Sequence, residues 1–240
     1  MSNRTVVKAS DVVEYLRGCI SQGDLSPNDR LPSERVISEQ LQTTRVTTRE
    51  ALKMLETQGM IYRANRRGWF VTPARINYDP GRAMYFMNYV AEQGFKPFSK
   101  QLSKKRITAD KVLAKKLSIA EGEVLVELTR LRGADNRPVY LETILLPEER
   151  LPGIFQQDLE LSVTTVLQQQ YDSPYHSVEM DITAGSLTKD EAELLQAPTG
   201  YTSLEICRVS RDQEGRLIEY DVERWRHDAL NLKVSFRLNT

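Results

Sequence analysis

Arg45, Arg49 and Lys53 recur every four residues. On a helix that spacing puts three cations on one face. Guanidinium groups are shaped for paired hydrogen bonds to guanine edges, and the hydroxyls of Thr44, Thr47 and Thr48 suit phosphates or base edges. Arg66 and Arg67, just before Gly68, would suit a minor groove or flanking phosphates. Arg35 lies upstream, within reach of a DNA backbone. For any one of these arginines a surface salt bridge is an equal account; the ordered set favours DNA. A second constellation lies far downstream. Arg130 and Arg132 are two apart, so on a strand both project from one face. Two adjacent guanidiniums repel unless an anion bridges them. A phosphate or carboxylate ligand would do so, and so would a ladder of protein carboxylates such as Glu142 and Glu219. Ser162 can cap a helix over 163–170, whose free N–H groups would form an anion site.

The elements that must hold the first set read clearly. Val13, Leu16 and Ile20 give a helix from about Ser10 to Gln22, stopped at Gly23. Ser33 caps a short second helix ending near Leu41. Thr44 caps a third, whose apolar stripe is Ala51, Leu52 and Leu55 and which ends before Gly59. Two helices joined by Gln42-Thr43-Thr44 form a helix-turn-helix. Ile61-Tyr62-Arg63 and Trp69-Phe70-Val71 then flank a glycine-containing turn, predicting a β-hairpin with arginines at its tip. Thr72 to Gly81 holds Pro73, Pro80 and Gly81 without periodicity, and is expected to be a linker. The expected division is 1–71, a linker at 72–81, and a second domain over 82–240.

That second part predicts an α+β fold of short strands and helices. Leu117, Gly122, Val126, Leu128 and Arg130 match Leu195, Gly200, Leu204, Ile206 and Arg208 at an offset of 78 residues. Each copy reads helix, loop, strand, turn, strand. One antiparallel sheet built from two similar halves, with helices on one face, is expected.

Charge supports the division. Lys/Arg and Asp/Glu balance at 33 each. Residues 1–75 carry 12 basic and 8 acidic groups, 12 − 8 = +4, leaving −4 for the remainder. A basic segment in a neutral chain is the footprint of phosphate binding. No apolar run approaches the ~18 residues of a membrane helix, and no signal-peptide core is evident. Cys19 and Cys207 have no metal-ligand spacing, and His176 and His227 give little material for a metal site. A cytoplasmic protein without metal, cofactor or membrane partner is expected.

The segments Asp29-Arg30-Leu31-Pro32-Ser33-Glu34-Arg35, Thr44-Arg45-Val46-Thr47-Thr48-Arg49-Glu50-Ala51-Leu52 and Gly68-Trp69-Phe70-Val71 resemble the GntR family of bacterial regulators. Asn28 stands where that family usually has Gly, and Trp69 where Thr is common. The resemblance implies a winged helix-turn-helix in which Arg35, Arg45, Thr47, Arg49 and the wing around Gly68 touch double-stranded DNA. It also implies a homodimer on a short palindromic operator. Arg130-Leu131-Arg132, Pro138-Val139-Tyr140-Leu141-Glu142, Leu161-Ser162-Val163 and Gly215-Arg216-Leu217-Ile218-Glu219-Tyr220 resemble the UTRA sensor of the HutC subfamily, which has a chorismate-lyase-like fold. That resemblance implies a small-effector pocket, with Ser99, Arg130, Arg132, Glu142, Ser162, Glu219 and Tyr220 as candidates. A narrower resemblance, carried by the wing residues Arg63 to Pro73 and by Trp225-Arg226-His227-Asp228, is to regulators of phosphonate use such as 2-aminoethylphosphonate. A sugar phosphate is the alternative effector. No nucleophile–base pair is evident, so a regulator, expected to be a repressor, is favoured over a lyase-like enzyme fused to a DNA module.

Overall fold

The computed structural model describes residues 7–64, 67–80, 85–171 and 175–234. The chain divides into two compact units, the first of residues 1–75 with 196–198 and the second of residues 76–195 and 199–240.

In the first unit, α1 (Ala9–Gln22), α2 (Glu34–Gln40) and α3 (Arg45–Thr57) precede an antiparallel hairpin of β1 (Ile61–Ala64) and β2 (Gly68–Val71). The caps fall where local chemistry demands. The Ser33 hydroxyl accepts from Val36 N, and the Thr44 hydroxyl accepts from Thr47 N at 3.1 Å. Val12, Leu16, Ile37, Ala51, Leu52, Leu55 and Ile61 close one core beneath the hairpin. Asn28 and Leu31 donate backbone N–H groups to Val71 and Trp69 in β2, so the loop before α2 is tied to the hairpin as a third edge. Gly68 has φ +107°, a left-handed backbone that favours glycine.

The second unit is built on a six-stranded antiparallel sheet in the order β4-β5-β6-β9-β8-β7. The strands are β4 (Pro97–Thr108), β5 (Val124–Ala134), β6 (Arg137–Pro147), β7 (Ser177–Ser186), β8 (Thr202–Arg211) and β9 (Leu217–Arg226). With α5 (Lys111–Leu117) and α7 (Lys189–Leu194), each half runs strand, helix, strand, strand, and the halves meet where β6 pairs with β9. The repeat at offset 78 is therefore a structural one. Asp135 and Asn136, both at positive φ, make the tight turn between β5 and β6.

Two expectations are corrected. Helices cover both faces of the sheet, not one. Leu117 and Ala114 of α5 pack with Leu125, Leu145 and Tyr220, whereas Val163 and Leu167 of α6 (Val163–Gln170) pack with Val126, Leu128 and Ile144 on the other face. Accordingly β5 and β6 are buried almost throughout, which the repeat alone did not reveal. The expected linker is also shorter. Ile76–Tyr78 form β3, paired in parallel with β10 (Leu230–Leu232), because Ile76 and Tyr78 can bury beside Val90 and Trp225. The remaining short helix, α4 (Phe86–Glu92), packs in that same cluster.

Candidate DNA-binding face and ligand pocket

The first unit presents α3 as a charged outer face over a buried inner stripe of Thr48, Ala51, Leu52 and Leu55. Thr44, Arg45 and Arg49 are exposed and Thr47 half-buried, near the helix N-terminus. Thr44 and Thr47 share a hydroxyl hydrogen bond of 2.9 Å. Arg49 is held by Glu34 of α2 at 2.8 Å, and the same pairing keeps the Glu34 carboxyl below its usual range. Arg35 pairs with Glu39 at 2.9 Å on the exposed side of α2. At the wing, Arg67 lies over the Phe70 ring at 5.2 Å. Arg66 lies outside the described residues.

Thr48 was expected at the DNA surface and is instead fully buried. It belongs to the inner stripe, three residues before Ala51 and four before Leu52, so the helical period turns it inward. Sequence reasoning passed over Val46, which is 75% exposed between Arg45 and Thr47. An apolar side chain left in solvent in the first turn of such a helix is suited to a thymine methyl. Its signal was that exposure, which spacing alone did not give.

In the second unit the candidates converge in part. A small cavity of about 70 Å³, partly open to solvent, is lined by Arg130, Arg132, Glu142, Ser162, Glu219 and the previously unassigned Arg208, Glu223, Tyr78 and Phe86. Strand register builds its floor, since Arg130 sits opposite Glu142, Glu142 opposite Glu223, and Arg208 opposite Asp221. Arg130 donates to Glu142 at 2.6 Å and to the Leu159 carbonyl, and Arg132 Nε donates to the same carboxylate at 3.1 Å. Arg132 Nη1 donates to the Leu161 carbonyl at 2.9 Å, and no described residue bonds its Nη2. The ladder of protein carboxylates thus forms, but leaves Arg132 one free edge. Beside it, Leu161 to Thr164 line the cavity at the start of α6, where the Ser162 hydroxyl accepts from Thr165 N at 3.1 Å.

The opposite side is acidic. Arg208 pairs with Asp221 and Glu223 and donates to the Tyr78 hydroxyl at 3.1 Å. Tyr175 donates to Glu219, and Trp225 donates to Glu223 at 2.6 Å. Four carboxylates therefore meet three guanidiniums. Burial works against the charge of Glu142, yet Arg130 and Arg132 hold its carboxyl down at about 2. Burial pushes Glu219, Asp221 and Glu223 above the ordinary carboxylate range. The cluster is one positive charge short, and that shortage adds to burial in disfavouring the charged form of these carboxyls. Glu142, Asp221 and Glu223 converge closely enough for a metal, but each already takes a guanidinium.

Two expected residues are elsewhere. Ser99 donates to the Glu160 carbonyl at 2.5 Å, fastening the 159–161 segment to the edge strand β4, and does not line the cavity. Tyr220 projects to the other face of β9, where it accepts from Lys116 at 2.6 Å; alternation separates it from Glu219. Of the Trp225-to-Asp228 motif, Arg226 and Asp228 pair with each other, and Arg137 joins Asp228 at 2.5 Å; neither lines the cavity. Arg208 had a sequence signal, being the repeat partner of Arg130. Tyr78 and Phe86 had none, because they reach the cavity only through pairing of β3 and folding of α4.

A three-helix head with a wing and an exposed basic helix, followed by a sheet holding a polar cavity, defines a ligand-responsive, DNA-binding transcription regulator. Residues 8–71 match the gntR family of bacterial regulatory proteins, and residues 92–231 match the UTRA domain. The chain belongs to the GntR family, in its branch with a UTRA domain. It is 29% identical over 193 residues to the uncharacterized HTH-type transcriptional regulator YihL of Escherichia coli, covering 80% of this chain and 81% of that one. It is 26% identical to the HTH-type transcriptional repressor NagR of Bacillus subtilis, over 90% of this chain and 89% of that one. The solved structure of PhnF from Mycobacterium smegmatis superposes with a TM-score of 0.67 at 26% identity, covering 97% of this chain and all of that one. YihL and NagR are named as regulators, not enzymes. No described helix is long and apolar enough to cross a membrane.

Proposed function

We propose that this protein is a homodimeric repressor whose operator affinity is set by a small zwitterion, a phosphonate or phosphate that also carries an ammonium group; 2-aminoethylphosphonate is the simplest candidate. The observation that carries this reading is the two-sided cavity. Arg132 Nη2 and the N-terminus of α6 offer donors to an anion. Glu219 and Glu223, on the opposite side, are carboxyls whose charged form burial disfavours, and an ammonium beside them would favour it. A sugar phosphate satisfies the first side only. The name of one relative, a mannosyl-D-glycerate system repressor, keeps a sugar-derived anion as the second reading.

Arg45, Arg49, Thr44 and Thr47 take the major groove and backbone, Arg35 the flanking phosphates, and the wing from Arg67 to Gly68 the minor groove. Communication runs through Tyr78. It stands three residues past Arg75, where the first stretch of the first unit ends, and bonds Arg208 in the cavity. A ligand that draws Arg208 or its carboxylates away changes what holds β3, and so biases the spacing of paired DNA heads.

The test combines operator binding with thermal shift. 2-Aminoethylphosphonate should stabilise the second unit by roughly 2.7 kcal/mol at 100-fold its dissociation constant and should weaken operator binding. Ethylphosphonate, which lacks the ammonium, should do neither at that concentration. Equal responses to both would remove the zwitterion reading; a response to sugar phosphates alone would establish the second.

A further inference from the structure

Two tyrosines at the cavity take no part in its ion network. Tyr140 lies on β6 and Tyr89 on α4, and both line the cavity. Tyr140 is only 1% exposed, and Tyr89 is half-buried. The Tyr140 ring is fixed from two sides. It stacks on its cross-strand partner Trp225 at 4.0 Å, and the Phe86 ring meets it edge-on at 5.2 Å. Tyr89 is edge-on to Phe86 and 5.7 Å from the Tyr78 ring.

These contacts hold the rings and leave the hydroxyls over. The other tyrosines nearby use theirs: Tyr78 accepts from Arg208, Tyr85 donates to Gln168 at 2.5 Å, and Tyr175 donates to Glu219. No described residue hydrogen-bonds the hydroxyl of Tyr89 or of Tyr140. Burial pushes both hydroxyls far up, so at neutral pH each keeps its proton and is a donor. A buried donor without an acceptor is costly, and a ligand oxygen would relieve that cost.

Strand register decides which kind of oxygen. Arg132, Tyr140 and Trp225 form one row across β5, β6 and β9, and Arg130, Glu142 and Glu223 form the next row on the same face. Tyr140 therefore borders both Arg132, which has the free edge, and Glu142, which belongs to the acidic cluster. A ligand carboxylate there would add a fifth carboxylate to a cluster already one positive charge short. A hydroxyl adds no charge, accepts from a tyrosine and can donate onward to a carboxylate. We propose that Tyr89 and Tyr140 form a subsite for a hydroxyl group of the ligand, set between its anionic and its cationic end. The effector is then an aminoalkyl phosphonate or phosphate hydroxylated on its carbon chain, and 2-amino-1-hydroxyethylphosphonate is the smallest of that class. A site whose donors are fixed for a ligand oxygen rejects the analogue that lacks it, because the donors are then left unpaired.

The subsite rests on the zwitterion reading above, and the test separates the two. Isothermal titration calorimetry of the full chain compares 2-aminoethylphosphonate, each enantiomer of 2-amino-1-hydroxyethylphosphonate, and glycerol 3-phosphate, which has hydroxyls and no ammonium. One enantiomer of the hydroxylated compound should bind about tenfold more tightly than 2-aminoethylphosphonate. Tyr140→Phe should bring that ratio close to one, chiefly by weakening the hydroxylated ligand, and Tyr89→Phe should lessen it. A tyrosine that merely shapes the cavity would weaken both ligands alike and leave the ratio unchanged. Neither variant should lower the melting temperature of the ligand-free protein, since each loses a hydroxyl that the fold does not pair; a clear drop in both would mean that the fold uses these hydroxyls and would overturn the subsite. Equal binding of the aminophosphonates, or a ratio that survives both substitutions, also overturns it and leaves the zwitterion reading standing. Tyrosine-dependent binding of glycerol 3-phosphate, with no aminophosphonate bound, keeps the hydroxyl subsite and overturns the zwitterion. Binding of none of these compounds overturns both.

Discussion

The two units use the same side chains in opposite ways. On α3 and the wing, arginines stand in water, and the ion pairs they make, such as Arg49 with Glu34, are exposed. In the cavity, Arg130 and Glu142 are only 2% and 6% exposed. An exposed cation is inexpensive to hold and is available to a phosphate backbone, whereas a buried one must be paired before the fold can close. The first unit therefore carries its binding charge ready to use. The second carries its charge already satisfied, and a ligand acts there by exchanging partners.

The largest effect that would break this contrast concerns Glu142. Glu142→Ala leaves Arg130 and Arg132 buried without their shared carboxylate. Loss of one member of a buried pair costs about 3–5 kcal/mol, so the melting transition of the second unit should fall by many degrees. Glu34→Ala, the corresponding change in the first unit, should leave its melting temperature almost unmoved. Differential scanning calorimetry of the intact chain reads both. Equal shifts would mean that the two ion networks are of one kind.

Next in size is DNA affinity. Arg45→Ala should cost about 1–3 kcal/mol of operator binding and relax the base preference at one position. Arg67→Ala should weaken binding evenly across sequences and lessen the salt dependence by about one ion. Neither should alter the thermal response to ligand. Fluorescence anisotropy at two or more salt concentrations distinguishes the two patterns.

The same contrast explains what the sequence made legible. The DNA face is a local object. One helical period and a capping threonine put Arg45 and Arg49 on the exposed face of α3, where the structure has them, and Thr48 was assigned outward against that period. The cavity is assembled from β3, α4, β5, β6, α6, β8 and β9. Arg130 and Arg132 were legible because they share a strand, and Glu142 and Glu219 because they resemble acceptors of a known pattern. Tyr78 is 52 residues before Arg130 in the chain and meets the cavity only through a parallel strand pair at 76–78 and 230–232. No periodicity within either segment announces that pairing. Ser99 and Tyr220 were misplaced for a related reason, since a strand residue's use depends on which neighbour covers its face.

The pH response sharpens the comparison further. Glu219, Asp221 and Glu223 have raised values in the folded state, so the fold binds their protons more tightly than the unfolded chain does. The stability they contribute is present at and below the ordinary carboxylate range and is lost as pH rises through the raised values. Glu142, held at about 2, behaves oppositely: its contribution is present above about 4.5 and is lost as pH falls toward 2. The second unit should therefore lose stability as pH rises through those raised values, and lose it also as pH falls toward 2. Each proton taken up changes the slope by about 1.4 kcal/mol per pH unit. An ammonium-bearing ligand should lower these raised values and so release protons on binding in the pH range where the carboxyls titrate, visible as a dependence of calorimetric heat on the buffer's ionisation enthalpy. Ethylphosphonate should release none.

The smallest effect concerns Val46. Its side chain stands exposed between Arg45 and Thr47. Contact with a thymine methyl would repay that exposure, and Val46→Ala shortens the reach by two methyl groups. Operator affinity should fall by about 1 kcal/mol, at the low end of what one base contact contributes. Substituting uracil for each operator thymine in turn removes the methyl from the DNA side. At one thymine, the uracil penalty should be present with the parent protein and absent with the variant. A penalty that persists with Val46→Ala at every thymine would place Val46 off the bases and leave base reading to Arg45 and its neighbours.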